Sequence, residues 1–360
     1  MRRRLLLLAA VALGVTVVSS YDAGSMTAAT ERSAAAVTAE SPEWEQVVPG
    51  GDCQCSDGSE YSFWVRQADP TKVVFFMQGG GACWNAETCA PGSEYYKPIT
   101  GPFDDPTGVG GIFDLANADN PLADYSFVFV PYCTGDVHLG DREHQYATDV
   151  TVQHKGFVNA SAALDHLVET FPAAEEVLVT GESAGSVPSP LYGGLVADRM
   201  PAADVTVLGD GSGAYRRWPH ITMMLADAWG WEATIPDWPE TEKLKIKDWG
   251  APAIFVNSAA HAPEVTFARH DYAYDDTQKF FADALGTNID VLRSIDANEK
   301  WIEKKSGIEL ASYVAPGTNH TVLSSSDFYT EEVNGVALVD WVTALVSGEP
   351  VDDVHCTACE

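Results

Sequence analysis

Four runs of consecutive apolar residues stand out along the chain: 73–77 (VVFFM), 127–130 (FVFV), 177–180 (VLVT) and 205–208 (VTVL). They are short, continuous and rich in Val and Phe, which predicts strands buried on both faces. Apolar positions recur at helical spacing over 157–170, where Phe157, Ala160, Leu164 and Leu167 share a face, and again over 278–285, 289–304 and 336–346. Later strands are expected at 265–272 and 310–314. Strands alternating with helices predict an α/β fold, a mainly parallel central sheet with helices on both faces. No linker interrupts this pattern, so residues 46–360 are read as a single domain with long loop insertions. In such sheets ligands bind beyond the carboxyl ends of the strands, so the loops there are the places to search.

The first residues do not follow the pattern. Arg2, Arg3 and Arg4 precede an apolar run over 5–18, too short for a comfortable membrane span. Residues 1–20 are read as a signal peptide of open cleavage site, with an uncleaved anchor as the alternative. Residues 21–45, rich in Ala, Ser and Thr, are read as a flexible linker. Export bears on the seven cysteines, which outside the cytoplasm pair as disulfides and leave one over. Cys83 and Cys89 are spaced to close a small loop; spacing does not pair the rest. The net charge of −31 excludes nucleic acid as a partner and argues against anionic membrane surfaces. It also weighs against a strongly polyanionic substrate.

Candidate chemistry begins after VLVT, at Gly181-Glu182-Ser183-Ala184-Gly185. In G-x-S-x-G after a strand, the serine sits on a sharp turn and both glycines avoid clashes that side chains would make. The Ala184 amide is then placed to donate to an oxyanion. Pro188 and Pro190 follow closely, so the next helix is expected to be kinked or to start late. After VVFFM comes Gln78-Gly79-Gly80-Gly81-Ala82-Cys83-Trp84, three glycines that let backbone amides turn toward a ligand. This run fits the second oxyanion donor of an α/β-hydrolase-like fold. A serine nucleophile needs a histidine base and an orienting carboxylate, in the chain order Ser, acid, His. His320, in the polar loop after the strand at 310–314, suits the base. Asp275, just past the strand at 265–272, is the preferred acid, and Asp210 after VTVL is its rival.

Together these pieces resemble the pectin acetylesterase and Notum family of carboxylesterases. The resemblance rests on QGGGACW followed by Cys89, on Pro131-Tyr132-Cys133-Thr134-Gly135-Asp136-Val137-His138, and on GESAG, AYDDTQ and PGTNH. It implies Ser183 as nucleophile, Asp275 as acid, His320 as base, and the amides of Gly80, Gly81 and Ala184 as the oxyanion hole. Trp84, Asp136 and His138 are candidates for the substrate pocket. The family often carries an aromatic residue where Gly81 stands and a glycine where Ser186 stands, which leaves acyl specificity open. The implied activity is O-deacetylation of an ester substrate such as an acetylated polysaccharide, with no cofactor and no metal. Alternatives are removal of a longer acyl chain, general carboxylesterase, peptidase or thioesterase chemistry, and a silent carbohydrate-binding protein using some of the ten tryptophans.

Overall fold

The residues of VVFFM divide between two cores. Val73, Phe75 and Met77 pack with helices on one face of a sheet, and Val74 and Phe76 with helices on the other. A strand covered on both sides has no polar face, which is why the run is continuous in sequence. The computed structural model describes residues 43–101 and 104–359, and the expected signal peptide lies outside them.

In chain order the strands are β1 (Trp44–Val47), β2 (Phe63–Arg66), β3 (Asp69–Met77), β4 (Tyr125–Val130), β5 (Arg142–Ala147), β6 (Val150–His154), β7 (Glu176–Glu182), β8 (Asp204–Asp210), β9 (Thr266–Tyr272), β10 (Leu310–Ala315), β11 (Glu332–Val333), β12 (Val336–Ala337) and β13 (Val354–His355). The helices are α1 (Gly156–Thr170), α2 (Ser189–Arg199), α3 (Pro219–Trp229), α4 (Ala251–His261), α5 (Asp276–Ala284), α6 (Val291–Ser306) and α7 (Leu338–Val346). Nine strands form one sheet in the order β1-β2-β4-β3-β7-β8-β9-β10-β13. β1 and β2 are antiparallel additions, and every pair from β4 to β13 is parallel. The α/β-hydrolase-like architecture expected from the sequence is the one observed.

Two expectations are corrected. The linker expected over 21–45 runs two residues too far, because β1 begins at Trp44, whose ring packs 5.6 Å from Phe127 and 6.3 Å from Phe113. The helix expected from 336 begins at Leu338, since Val336 and Ala337 pair with β11. After Ser183 a single 3-10 turn intervenes and α2 starts late, at Ser189, with Pro190 in its first turn, where no amide donor is needed.

Three disulfides join Cys55–Cys133, Cys83–Cys89 and Cys356–Cys359, and Cys53 is the thiol left over. Among the described residues no helix is long and apolar enough to cross a membrane.

Candidate active site

β7 ends at Glu182, and Ser183 follows with φ 53°, a left-handed conformation that costs a non-glycine residue energy and is held only by its surroundings. Those surroundings are glycines. A Cβ on Gly185 would lie 2.0 Å from the Met77 carbonyl oxygen, and one on Gly181 would lie 2.6 Å from the same atom. Gly79 is equally confined, its Cβ position falling 2.8 Å from the Ser183 Cβ. The elbow and the glycine loop are thus pressed together, which places the backbone of one beside the hydroxyl of the other.

The glycine loop turns through Gly80 and Gly81 (φ 156° and 77°). It bonds to the segment at 95–97 through the Gly80 carbonyl and the Ala82 amide, leaving the Gly81 amide outside the pair. An aromatic residue in place of Gly81 has no room here, because its Cβ would fall 2.0 Å from the Tyr95 carbonyl oxygen. The Cys83–Cys89 disulfide closes the loop, and the Trp229 indole donates to the Cys83 carbonyl at 2.7 Å.

Asp136 and His138, expected in the substrate pocket, are buried supports instead. Asp136 accepts from Thr134 Oγ1 at 2.6 Å and from the Gly156 amide at 2.8 Å; burial pushes its carboxyl up to about 6. His138 Nε2 lies 2.9 Å from the Gln78 carbonyl oxygen, and burial lowers its pKa to about 4, so the ring is neutral and donates to that carbonyl. Asp136 thus ties the loop after β4 to the start of α1, and His138 ties it to the end of β3. The segment's contribution to the cavity wall is Val137 between them.

Asp275 caps α5. Its Oδ1 accepts the amides of Thr277 and Gln278 at 2.9 and 2.8 Å, and its Oδ2 accepts from Gln278 Nε2 at 3.0 Å. The remaining bond joins Oδ2 to His320 Nδ1 at 2.7 Å. His320 Nε2 is buried and has no hydrogen-bond partner among the described residues. Burial lowers the imidazole pKa, but Asp275, then Asp210 and Glu182, outweigh it, and the net effect holds His320 above the ordinary histidine value. The ring stands beside the elbow: Glu182 pairs in register with Asp210, and a Cβ on the next residue, Gly211, would meet His320 Cε1 at 3.2 Å. Asp210, the rival acid, does not contact the His320 ring nitrogens. Its carboxylate bonds His270 Nδ1 and the amides of Val322 and Leu323.

A cavity of about 100 Å³ opens on Ser183, Gly81 and Ala184. Its wall is mostly apolar: Trp84, Trp218, Leu225, Trp229, Trp231 and Phe281 contribute. Trp84 was expected near the pocket. The wall from α3 and the segment after it was not, although three tryptophans between 218 and 231 were a visible signal.

The family model for pectinacetylesterase matches residues 47–225, which hold the glycine loop, the Pro131–His138 segment and the elbow. The chain belongs to the pectin acetylesterase and Notum family. Within that family, palmitoleoyl-protein carboxylesterase NOTUM of Schmidtea mediterranea is 27% identical over 146 residues, covering 37% of this chain and 26% of that protein. Palmitoleoyl-protein carboxylesterase notum2 of Xenopus laevis is 29% identical over 136 residues, covering 36% and 27%. The chain thus matches about a quarter of the length of these curated relatives. The solved structure of the Wnt deacylase Notum from Drosophila shares the fold, with a TM-score of 0.62 and 15% identity over 89% of this chain and 97% of that one.

Proposed function

We propose that this member of the pectin acetylesterase and Notum family is a serine carboxylic ester hydrolase with Ser183 as nucleophile, His320 as base and Asp275 as the orienting acid. The observation that carries it is the Asp275–His320 pair, with Nδ1 bonded and Nε2 unpartnered, on a loop beside the strained elbow. Nε2 takes the Ser183 proton as Oγ attacks the ester carbonyl, and the hydrogen bond between them forms once substrate is bound. The amides of Gly81 and Ala184, with that of Gly80, hold the oxyanion. The imidazolium returns its proton to the leaving alcohol, giving an acyl-enzyme. Water, deprotonated by His320, attacks the acyl carbonyl; the acid leaves and Ser183 regains its proton.

The cavity favours an acyl chain longer than acetyl, because its apolar wall offers a short acid nothing to fill it with. The tryptophans support this reading over sugar stacking: Trp84, Trp229 and Trp231 are buried in the cavity wall rather than presented on the surface. The acidic surface points the same way, since it repels a polyanionic polysaccharide. Three disulfides and the charged-then-apolar N-terminal sequence support an extracytoplasmic site of action.

The test is hydrolysis of p-nitrophenyl esters from acetate to decanoate by wild type and Ser183→Ala. The expected kcat/KM rises about fourfold per methylene until the cavity is full, from about 0.8 kcal/mol per buried CH₂. Ser183→Ala is expected to lose all of it. Equal rates in the two proteins would end the hydrolase reading, and a preference for acetate would restore the deacetylase one.

A further inference from the structure

Beneath the His320 loop lies a buried charge cluster to which the mechanism above gives no part. His270 on β9 is fully buried, and both ring nitrogens meet carboxylates: Nδ1 lies 2.8 Å from Asp210 Oδ1 and Nε2 lies 2.8 Å from Glu331 Oε1. A neutral imidazole has a single N–H, so serving two carboxylates at once takes protons on both nitrogens. The rings of Tyr272 and Tyr313 complete its surroundings, and the neighbouring Asp271 carboxylate also feels its charge.

The Asp210 carboxylate reaches onward to the His320 loop. Asp210 Oδ2 accepts the amides of Val322 and Leu323 at 2.7 and 3.0 Å, just past His320. Glu331 bears on the loop less directly: its carboxylate raises the pKa of the Tyr272 hydroxyl, and the side chain of Asn319, the residue before His320, lowers it. Asp210 thus holds the loop just past the base, and it shares His270 with Glu331. We propose that His270, as an imidazolium shared by Asp210 and Glu331, is a positioning residue that fixes the His320 loop. Its kinetic consequence rests on the hydrolase reading above; its charge state does not.

The physical case is one of buried compensation. Removing one member of such a cluster leaves an uncompensated charge, so the three behave as a unit. Burial lowers the His270 pKa, but Asp210 and then Glu331 raise it to about 10, and the cation persists at neutral pH.

Two measurements on the whole protein test this. In ¹⁵N-histidine spectra, with His270→Gln for assignment, both His270 nitrogens are expected to stay protonated at pH 8. A His270 resonance that titrates near the ordinary value of about 6.5 overturns the proposal. The second readout is the rate of Ser183 labelling by a fluorophosphonate, which needs no knowledge of the natural ester. Asp210→Asn is expected to slow labelling about 10- to 100-fold, the scale of a base misplaced by a fraction of an ångström. Its pH midpoint should move down, because a carboxylate that raises the His320 pKa is gone. Glu331→Gln should slow labelling with the midpoint unmoved, and the double variant should be no slower than Asp210→Asn, the signature of one coupled unit. If Asp210→Asn does not fold, Glu331→Gln and the spectra carry the test. Unchanged rate and midpoint in a folded Asp210→Asn, or in Glu331→Gln an unchanged rate, would overturn the proposal. A wild type that never labels would instead refute the hydrolase reading, and the spectra would still decide the charge state.

Discussion

Gly181 and Gly185 hold Ser183 by exclusion, since a Cβ on either would fall within 2.6 Å of the Met77 carbonyl oxygen. Asp275 and Asp210 hold His320 by charge, one bonding its ring at 2.7 Å and the other bonding the amides just past it. Two sides of one site are therefore fixed by opposite devices. A steric device is indifferent to pH and fails when atoms are added. An electrostatic device is sensitive to pH and fails when a charge is removed at constant shape. Perturbing each side in its own way should separate them.

The largest effect is expected on the charged side. Asp275→Asn keeps the shape, but either its amide donor faces His320 Nδ1 or its carbonyl gives up the caps to Thr277 and Gln278. The wrong tautomer then leaves no lone pair for the Ser183 proton, and kcat should fall about 10⁴-fold with KM little changed. In wild type, kcat/KM should rise with pH as His320 loses its proton, through a midpoint above about 6.5, because Asp275, Asp210 and Glu182 outweigh the burial that lowers it. The residual activity of Asp275→Asn should rise through a lower midpoint. Stopped-flow pH profiles check both, and a wild-type midpoint at or below 6.5 would break the electrostatic half of the comparison.

Gly185→Ala attacks the steric side. Its added methyl meets the Met77 oxygen at 2.0 Å, so β3 and the elbow must part. A displaced nucleophile should cost about 10²-fold in kcat. The pH midpoint should stay at the wild-type value, since no charge near His320 changes. A shifted midpoint in this variant would mean the two sides are coupled.

The same division explains what the sequence made legible. Steric devices are local: three glycines after one strand and G-x-S-x-G after another are read directly, and the strands themselves appear as unbroken apolar runs. Asp275 and His320 could be ranked from chain order and from their places after strands. The charge cluster could not. His270 sits between Arg269 and Asp271 in β9 and resembles any other histidine until β8, β9 and the segment at 331 are brought together. Asp136 and His138 show the converse, since a dense polar motif reads as a pocket but here ties the loop after β4 to α1 and to the end of β3. The helix α4 has no clear helical period because its apolar residues divide between the cavity side, through Ile254, and the sheet side, through Phe255 and Ala259.

The smallest effect concerns Ser186, where the family usually has glycine. If this position shaped the acyl pocket, the departure would alter chain-length preference. Ser186 is buried away from the cavity wall, with its hydroxyl 2.6 Å from Ser212 Oγ. The space for it comes from Gly209 on β8, where a Cβ would fall 2.8 Å from Ser186 Oγ. A serine beside the elbow is thus matched by a glycine on the next strand. Ser186→Gly should therefore cost about 1–2 kcal/mol in denaturant unfolding, from the lost hydrogen bond and the added backbone freedom. Its ester chain-length profile should superimpose on that of wild type. A changed profile would place Ser186 in the pocket wall and extend the sterically defined side of the site beyond the elbow.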